Sequence, residues 1–250
     1  MKTAQASTLL PLNGQAKNVT FWGTVATTKW GQYLTELERR LVTLGNALAG
    51  EPGAGIDLGC GSGRWSRQLT DAGWRMTCID ASPKDLAVCQ TNVPEAQSIL
   101  VARDSSVIPC LSRSCGILLC IEVGPVIESN WFVPEVTRVL SDRGILVGVF
   151  CNRHSWRGLV GRLKYRLNGR RGANDFYNVD YSSFRKKLTA AGFELVHQEG
   201  LCWGPAGRCS DSALVPFYIK LERALRLNRF VAISPWIAFI ARKTVESTSR

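Results

Sequence analysis

Residues 54–66 read Ala-Gly-Ile-Asp-Leu-Gly-Cys-Gly-Ser-Gly-Arg-Trp-Ser, and no other stretch of the chain restricts its fold so tightly. Gly55 through Leu58 reads as the end of a short buried strand, Gly59, Gly61 and Gly63 as a tight turn, and Arg64 through Asp71 as a helix. Glycine at alternate positions lets backbone N–H groups approach a ligand, because no Cβ intervenes and a positive φ costs little. Such a loop cradles a nucleotide-like molecule. The dinucleotide fingerprint Gly-x-Gly-x-x-Gly is not met, since Arg64 or Ser66 stands where the last glycine should be. Asp57, just ahead of the loop, would repel a phosphate and suits a ligand with a cationic amino group.

The chain beyond the loop alternates strand and helix. Gly73 ends the first helix and residues 74–79 form a second strand closing on Asp80, placed to accept hydrogen bonds from two ribose hydroxyls. Ser82, Pro83 and Asp85 supply an N-cap, a first-turn proline and a carboxylate for the next helix. Residues 98–102 are a third strand with Asp104 and Ser105 at its end, and residues 116–121 a fourth, wholly apolar one ending in Ile121-Glu122. Residues 134–140 read as a helix, 141–144 as a turn and 145–150 as a fifth strand. Asp180 or Ser182 caps a helix to Ala191, followed by strands at 193–197 and 236–242. Upstream, residues 21–49 read as one helix with Leu34, Leu37, Leu41, Leu44 and Leu48 on one face. This alternation predicts an α/β doubly wound sheet with its site at the carboxyl ends of the first four strands.

Acidic-x-Gly-x-Gly-x-Gly at Asp57–Gly63, with Asp80 and Asp104 following in order, resembles class I S-adenosylmethionine-dependent methyltransferases of the small-molecule type. The resemblance implies a seven-stranded, mostly parallel Rossmann-like sheet whose last strand is antiparallel, with S-adenosyl-L-methionine as cofactor. On the family's pattern the cofactor is held by Asp57, Gly59, Cys60, Gly61, Gly63, Asp80, Ala81, Ser82, Asp104, Ser105, Ile121 and Glu122, with Asp104 toward the adenine amine. Family members often continue the fourth strand as Glu-x-Leu-Glu-His; here Gly124-Pro125-Val126 stands instead, so no catalytic role transfers to that corner. His154, just past the fifth strand, is the best-placed general base, the alternative being a solvated loop residue; Tyr165, Tyr177 and Tyr181 are weaker choices. His197, inside a strand, reads as structural. Trp22, Trp30, Tyr33, Trp156 and Tyr177 are candidates to cover the acceptor, or else simply core packing.

The 250 residues, 45% hydrophobic, are expected to form one domain with insertions, which the resemblance makes a methyltransferase domain. Its parts are a loose N-terminus (1–17), a helical cap (18–50), a cofactor-binding core (51–150), a basic lid insertion (151–178) and a completing segment (179–245) with an insertion at 200–230. Nine cysteines without a C-x-x-C, and only two histidines, argue against disulfides and a metal site and for a reducing cytosol. A soluble, cytoplasmic protein able to associate with membranes is expected. The net charge of +11 points to an anionic partner or surface. Arg153, Arg157, Arg162, Lys164, Arg166, Arg170 and Arg171 lie in one acid-free stretch, opposite Trp156, Leu159, Val160, Leu163 and Leu167 on a helical face. That helix either packs its apolar face on the core or meets an anionic membrane surface or acidic partner. A small apolar or aromatic methyl acceptor is expected; a lipid or quinone is the next choice, nucleic acid fits less well without an RNA-binding module, and a non-catalytic S-adenosylmethionine-binding protein is the alternative from another class.

Overall fold

A computed structural model describes residues 21–167 and 177–245. The loose N-terminus, the side chains of Trp22, Tyr165 and Arg166, and the basic end of the lid at Arg170 and Arg171 lie outside the described residues. Seven strands form one sheet in the order β3-β2-β1-β4-β5-β7-β6. These are β1 (Ala54–Leu58), β2 (Arg75–Asp80), β3 (Gln97–Leu100), β4 (Cys115–Ile121), β5 (Leu140–Cys151), β6 (Phe193–Leu201) and β7 (Trp236–Lys243). Pairing is parallel from β3 through β5, and β7 runs antiparallel to both its neighbours. Strand order reverses direction between β1 and β4, which opens a crevice at their carboxyl ends.

Alternating side chains along each strand feed two cores, as the two-residue period of a strand requires. On one face, Ile117, Leu119 and Ile121 of β4 and Ile145, Val147 and Val149 of β5 pack against Trp30, Leu34, Leu37 and Leu41 of α2 (Lys29–Ala49). Helices α3 (Arg64–Asp71) and α4 (Pro83–Asn92) cover the same face through Trp65, Leu69, Leu86 and Cys89. On the other, Leu118, Cys120, Leu146, Phe150 and Phe239 meet Phe132 and Val136 of α6 (Phe132–Val139) and Phe184 and Leu188 of α8 (Tyr181–Ala190). The short α5 (Gly124–Glu128) follows β4.

Four sequence expectations are corrected. The helix expected over 21–49 breaks into α1 (Phe21–Val25) and α2, because the Thr28 hydroxyl accepts from Gly31 N and starts α2 as an N-cap. The expected turn at 141–144 lies within β5 as a bulge: pairing jumps from Cys115 with Leu140 to Ile117 with Ile145, and Arg143 takes φ 61°. The strand at 193–197 runs on to Leu201, leaving α9 (Val215–Ala224) as the helix of the second insertion. Finally, α7 (Trp156–Leu167) does not lay its apolar face on the core, for Leu159 is 56% exposed, Leu163 58% and Leu167 77%. Asp180 is the cap of α8, its carboxylate accepting from Ser183 N.

No helix of the described residues is long and apolar enough to cross a membrane.

Gly148, at the centre of β5, has no space for a side chain: a Cβ there would stand 2.5 Å from the Phe239 ring and 3.2 Å from the Cys120 carbonyl oxygen. Gly148→Ala should therefore lower stability by about 1–3 kcal/mol through overpacking, read as a shifted urea midpoint with an unchanged slope.

Candidate functional site

The β1–β4 crevice holds a cavity of about 370 Å³. Its floor is the glycine turn. Gly59, Gly61 and Gly63 all adopt φ between 54° and 78°, a region that side chains disfavour. A Cβ on Gly59 would strike Val123 at 2.4 Å, whereas one on Gly61 would meet nothing within 4 Å. Gly61 therefore faces open cavity, and any side chain there would take up ligand space.

Asp80, at the end of β2, fixes this turn. Its Oδ2 accepts from Gly61 N at 2.8 Å and its Oδ1 from Ser82 N at 2.8 Å. Each carboxylate oxygen retains a second lone pair for a ligand hydroxyl. Ser82 caps α4 by accepting from Asp85 N. Asp104 and Ser105 line the cavity beyond β3, together with Val101, Arg103 and Val107.

At the other end the wall is a pair of buried acids. Glu122 follows β4 in a left-handed conformation, φ 63°, pinned by its N–H to the Val149 carbonyl. Beside it stands Glu38 from α2, 2% exposed. Burial, then the neighbouring Glu122, hold the Glu38 carboxyl well above the usual range, so it is the protonated partner and donates to Glu122. Burial pushes Glu122 up to about 7, against the pull of Arg208, the Glu38 hydrogen bond and Arg64. The Oε1 atoms of both residues are buried without a hydrogen-bond partner. Unmet acceptors in a wall of this kind await a cationic or hydrogen-bond-donating ligand. Ile121, Val123, Pro125, Val126 and Trp131 complete an apolar side.

Of the residues singled out in the sequence, Gly59, Cys60, Gly61, Asp80, Ala81, Asp104, Ser105, Ile121 and Glu122 converge on this cavity. Asp57, Gly63 and Ser82 do not line it. Asp57 is turned inward: its Oδ2 accepts from the Ser66 hydroxyl at 2.5 Å, and burial pushes its carboxyl up to about 7. Gly63 packs on Cys89 instead. His154 lies outside the cavity, on the surface, with Nε2 3.0 Å from Asp180. The proposed acceptor-covering residues are elsewhere too. Trp30 packs edge-on against Trp236 at 5.4 Å, Tyr33 donates to Glu222, Trp156 is exposed beneath Arg157, and the Tyr177 hydroxyl accepts from Trp236 Nε1. His197 sits in β6 opposite Ile240, and the Tyr181 hydroxyl donates to Gln198.

Glu38, Arg64 and Trp131 were missed. A signal for Glu38 existed, since it interrupts the apolar stripe of α2 four residues after Leu34, where a solvated acid has no place. Arg64 stacks over Trp65 at 4.7 Å and donates to Thr35. Where no metal was expected, the described residues contain one cluster of metal-ligating type, Cys60, Cys78 and Cys89.

Residues 56–148 match the family model of a methyltransferase domain. None of the curated proteins compared matches the sequence. Among solved structures, the chain is similar to geranyl diphosphate C-methyltransferase from Streptomyces coelicolor A3(2), with 13% identity over 86% of this chain and 83% of that one, TM-score 0.60. It is also similar to a SAM-dependent methyltransferase from Methanosarcina mazei, with 15% identity over 80% and 97% of the chains, TM-score 0.56. A third similar structure is a (4+2)-cyclase, with 18% identity over 83% and 81%, TM-score 0.55. At these identities the structures share a fold, and the cyclase indicates that this fold carries more than one chemistry.

The acid pair makes a prediction of its own. A carboxyl whose pKa is raised on folding binds its proton more tightly in the native state, so it contributes stability at low pH that is lost as pH rises toward the folded value. For Glu122 that window runs from 4.5 to about 7. Glu122→Gln should therefore flatten the fall in stability across this window, measured as urea midpoints at several pH values; a slope equal to the parent's would mean that Glu122 titrates normally.

Proposed function

Because the chain is a class I S-adenosylmethionine-dependent methyltransferase, we propose that it moves the methyl group onto a small, apolar or aromatic acceptor by in-line displacement. The observation that carries this reading is one cavity with acids at both ends, an open Gly61 between them and an apolar side beside Glu122. The residues present fit the cofactor. Asp80 would hold the ribose hydroxyls, Asp104 the adenine end, and the unpartnered oxygens of Glu38 and Glu122 the cationic methionine end. Bound there, S-adenosylmethionine supplies an electrophilic methyl group that needs no further activation. The chain's own work is to position the acceptor and keep water out, tasks suited to Val123, Pro125, Val126 and Trp131. Where the acceptor must lose a proton, Glu122 is better placed than His154 to take it, because it lines the cavity; its pKa of about 7 belongs to the wall without a ligand, and a cationic methionine end would lower it.

A second reading concerns where the acceptor is met, and it is favoured by the two insertions. The apolar stripe of α7 is exposed, and so are Phe217 and Leu221 of α9 with Leu225, Phe230 and Ile233 after it. Arg157 ties α7 to the second insertion by donating to the Gly204 and Ala206 carbonyls. Glu222, the one acid in residues 212–242, is turned inward to Tyr33 and Trp203 N, whereas Lys220, Arg223, Arg226 and Arg229 surround the exposed stripe. Large apolar side chains among unopposed cations suit an anionic bilayer surface. A lipid-like acceptor would then reach the enzyme laterally.

Labelled-methyl transfer, measured alongside cofactor binding, tests the reaction; binding without turnover on any acceptor class would favour the non-catalytic alternative. Asp80→Ala should weaken S-adenosylmethionine binding at least tenfold by calorimetry, since each charge-assisted bond is worth roughly 1.5–3 kcal/mol. Gly61→Val should abolish binding while leaving the fold intact by circular dichroism, because its side chain enters the cavity. For the surface, Leu163→Ser combined with Phe217→Ser should abolish co-sedimentation with phosphatidylglycerol vesicles without changing cofactor affinity. Undiminished vesicle binding would remove the insertions from that role.

A further inference from the structure

Beneath the glycine turn three thiols converge. Cys60 comes from the turn itself, Cys78 from the middle of β2 and Cys89 from α4, and their sulfur atoms all lie within 4.8 Å of one another. All three are buried, Cys78 and Cys89 completely. The convergence is tertiary, since no two of these cysteines are neighbours in sequence. The surroundings hold the sulfurs in place. The Gly63 backbone presses on Cys89, where a Cβ would stand 2.6 Å from Sγ. The Cys78 thiol donates to the Ser66 hydroxyl at 3.2 Å, and that hydroxyl donates to Asp57 at 2.5 Å. The Ser66 hydroxyl and the Asp57 carboxylate thus fix the Cys78 side chain from outside the cluster.

We propose that Cys60, Cys78 and Cys89 form a three-sulfur site for a soft, thiophilic cation, with Cu(I) as the physiological ion that matches it. An all-sulfur donor set selects soft ions over Mg²⁺, Ca²⁺ or Mn²⁺. Structural zinc takes four ligands, and among the described residues the cluster offers three. Metal–sulfur bonds of about 2.3 Å put the sulfurs of a trigonal site about 4 Å apart, so a small inward movement within the present spacing closes the site. Each sulfur binds as a thiolate, so three S–H bonds break as three metal–sulfur bonds form and the three protons pass to solvent through the cavity that Cys60 lines. Because Cys60 also lines the cofactor cavity, the ion would join the glycine turn to β2 and α4 directly behind the bound cofactor. The site does not rest on the methyl-transfer reading and can be tested without turnover.

Reduced protein carrying Cys110→Ser and Cys209→Ser, which remove the two more exposed thiols, is titrated anaerobically with Cd(II) as an optical probe. Expected is a thiolate-to-metal charge-transfer band that saturates at one equivalent and is displaced by Cu(I). Cys78→Ala and Cys89→Ala should each lose the band and weaken retention at least tenfold while circular dichroism shows a folded chain. If one of these fails to fold, the other decides. Absence of a saturable band, undiminished binding in either folded variant, failure of Cu(I) to displace Cd(II), or a thiol count showing two of the three already joined as a disulfide would each overturn the proposal.

Discussion

One carboxylate ties the glycine turn to the start of α4. Asp80 accepts the N–H of Gly61 from the turn and the N–H of Ser82 from the cap of α4, so a single side chain at the end of β2 sets the spacing between the first two strand-to-helix connections. Both bonds are charge-assisted and partly shielded from water, which makes them stronger than a neutral pair. Together with the bonds from Gly59 N to the Ile79 carbonyl and from Gly63 N to the Cys60 carbonyl, they hold the left-handed glycines in one conformation. The resemblance assigns Asp80 to a ligand; the structure adds that Asp80 also braces the glycine turn against the cap of α4.

The opposite wall follows a different logic. Glu38 and Glu122 come from a helix and a strand that share no sequence neighbourhood, and the low-polarity interior that packs α2 onto β5 forces them together with one proton between them. The left-handed backbone at Glu122 is a cost of this arrangement, tolerated because the Val149 carbonyl fixes it from the next strand. Preformed polarity with unmet acceptors is what a site for a positively charged ligand requires.

Much of this was legible in the residues. The strands, the three glycines, Asp80 and the Ser82 cap are governed by local rules: period-two burial, positive φ and end-capping. These rules operate within a few positions of sequence, and the structure follows them. Where they fell short, the deciding contact was distant. Asp57 faces Ser66 rather than the cavity because Ser66 approaches from α3, and Trp30 and Tyr33 are claimed by Trp236 and Glu222, roughly 200 positions onward. His154 was favoured as the nearer of two histidines to the strand ends, yet the cap of α8 takes its ring. The apolar stripe of α7 was visible, but periodicity says only that a face exists, not what covers it.

The start of α2 carries a consequence for folding. Lys29 N bonds to Asp211 and the Tyr33 hydroxyl to Glu222, contacts that span 182 and 189 positions, and Trp30 N bonds to the Ser210 carbonyl. The glycine turn and Asp80 are held by residues close in sequence, whereas the first turn of the helix that brings Glu38 has, beyond its local Thr28 cap, tertiary anchors that come from residues 210, 211 and 222. Loop closure over such a distance is slow relative to local pairing. The floor of the cavity therefore depends on nearby residues, while the placing of Glu38 in its wall is secured by contacts that reach across 182 positions or more from Lys29 and Tyr33.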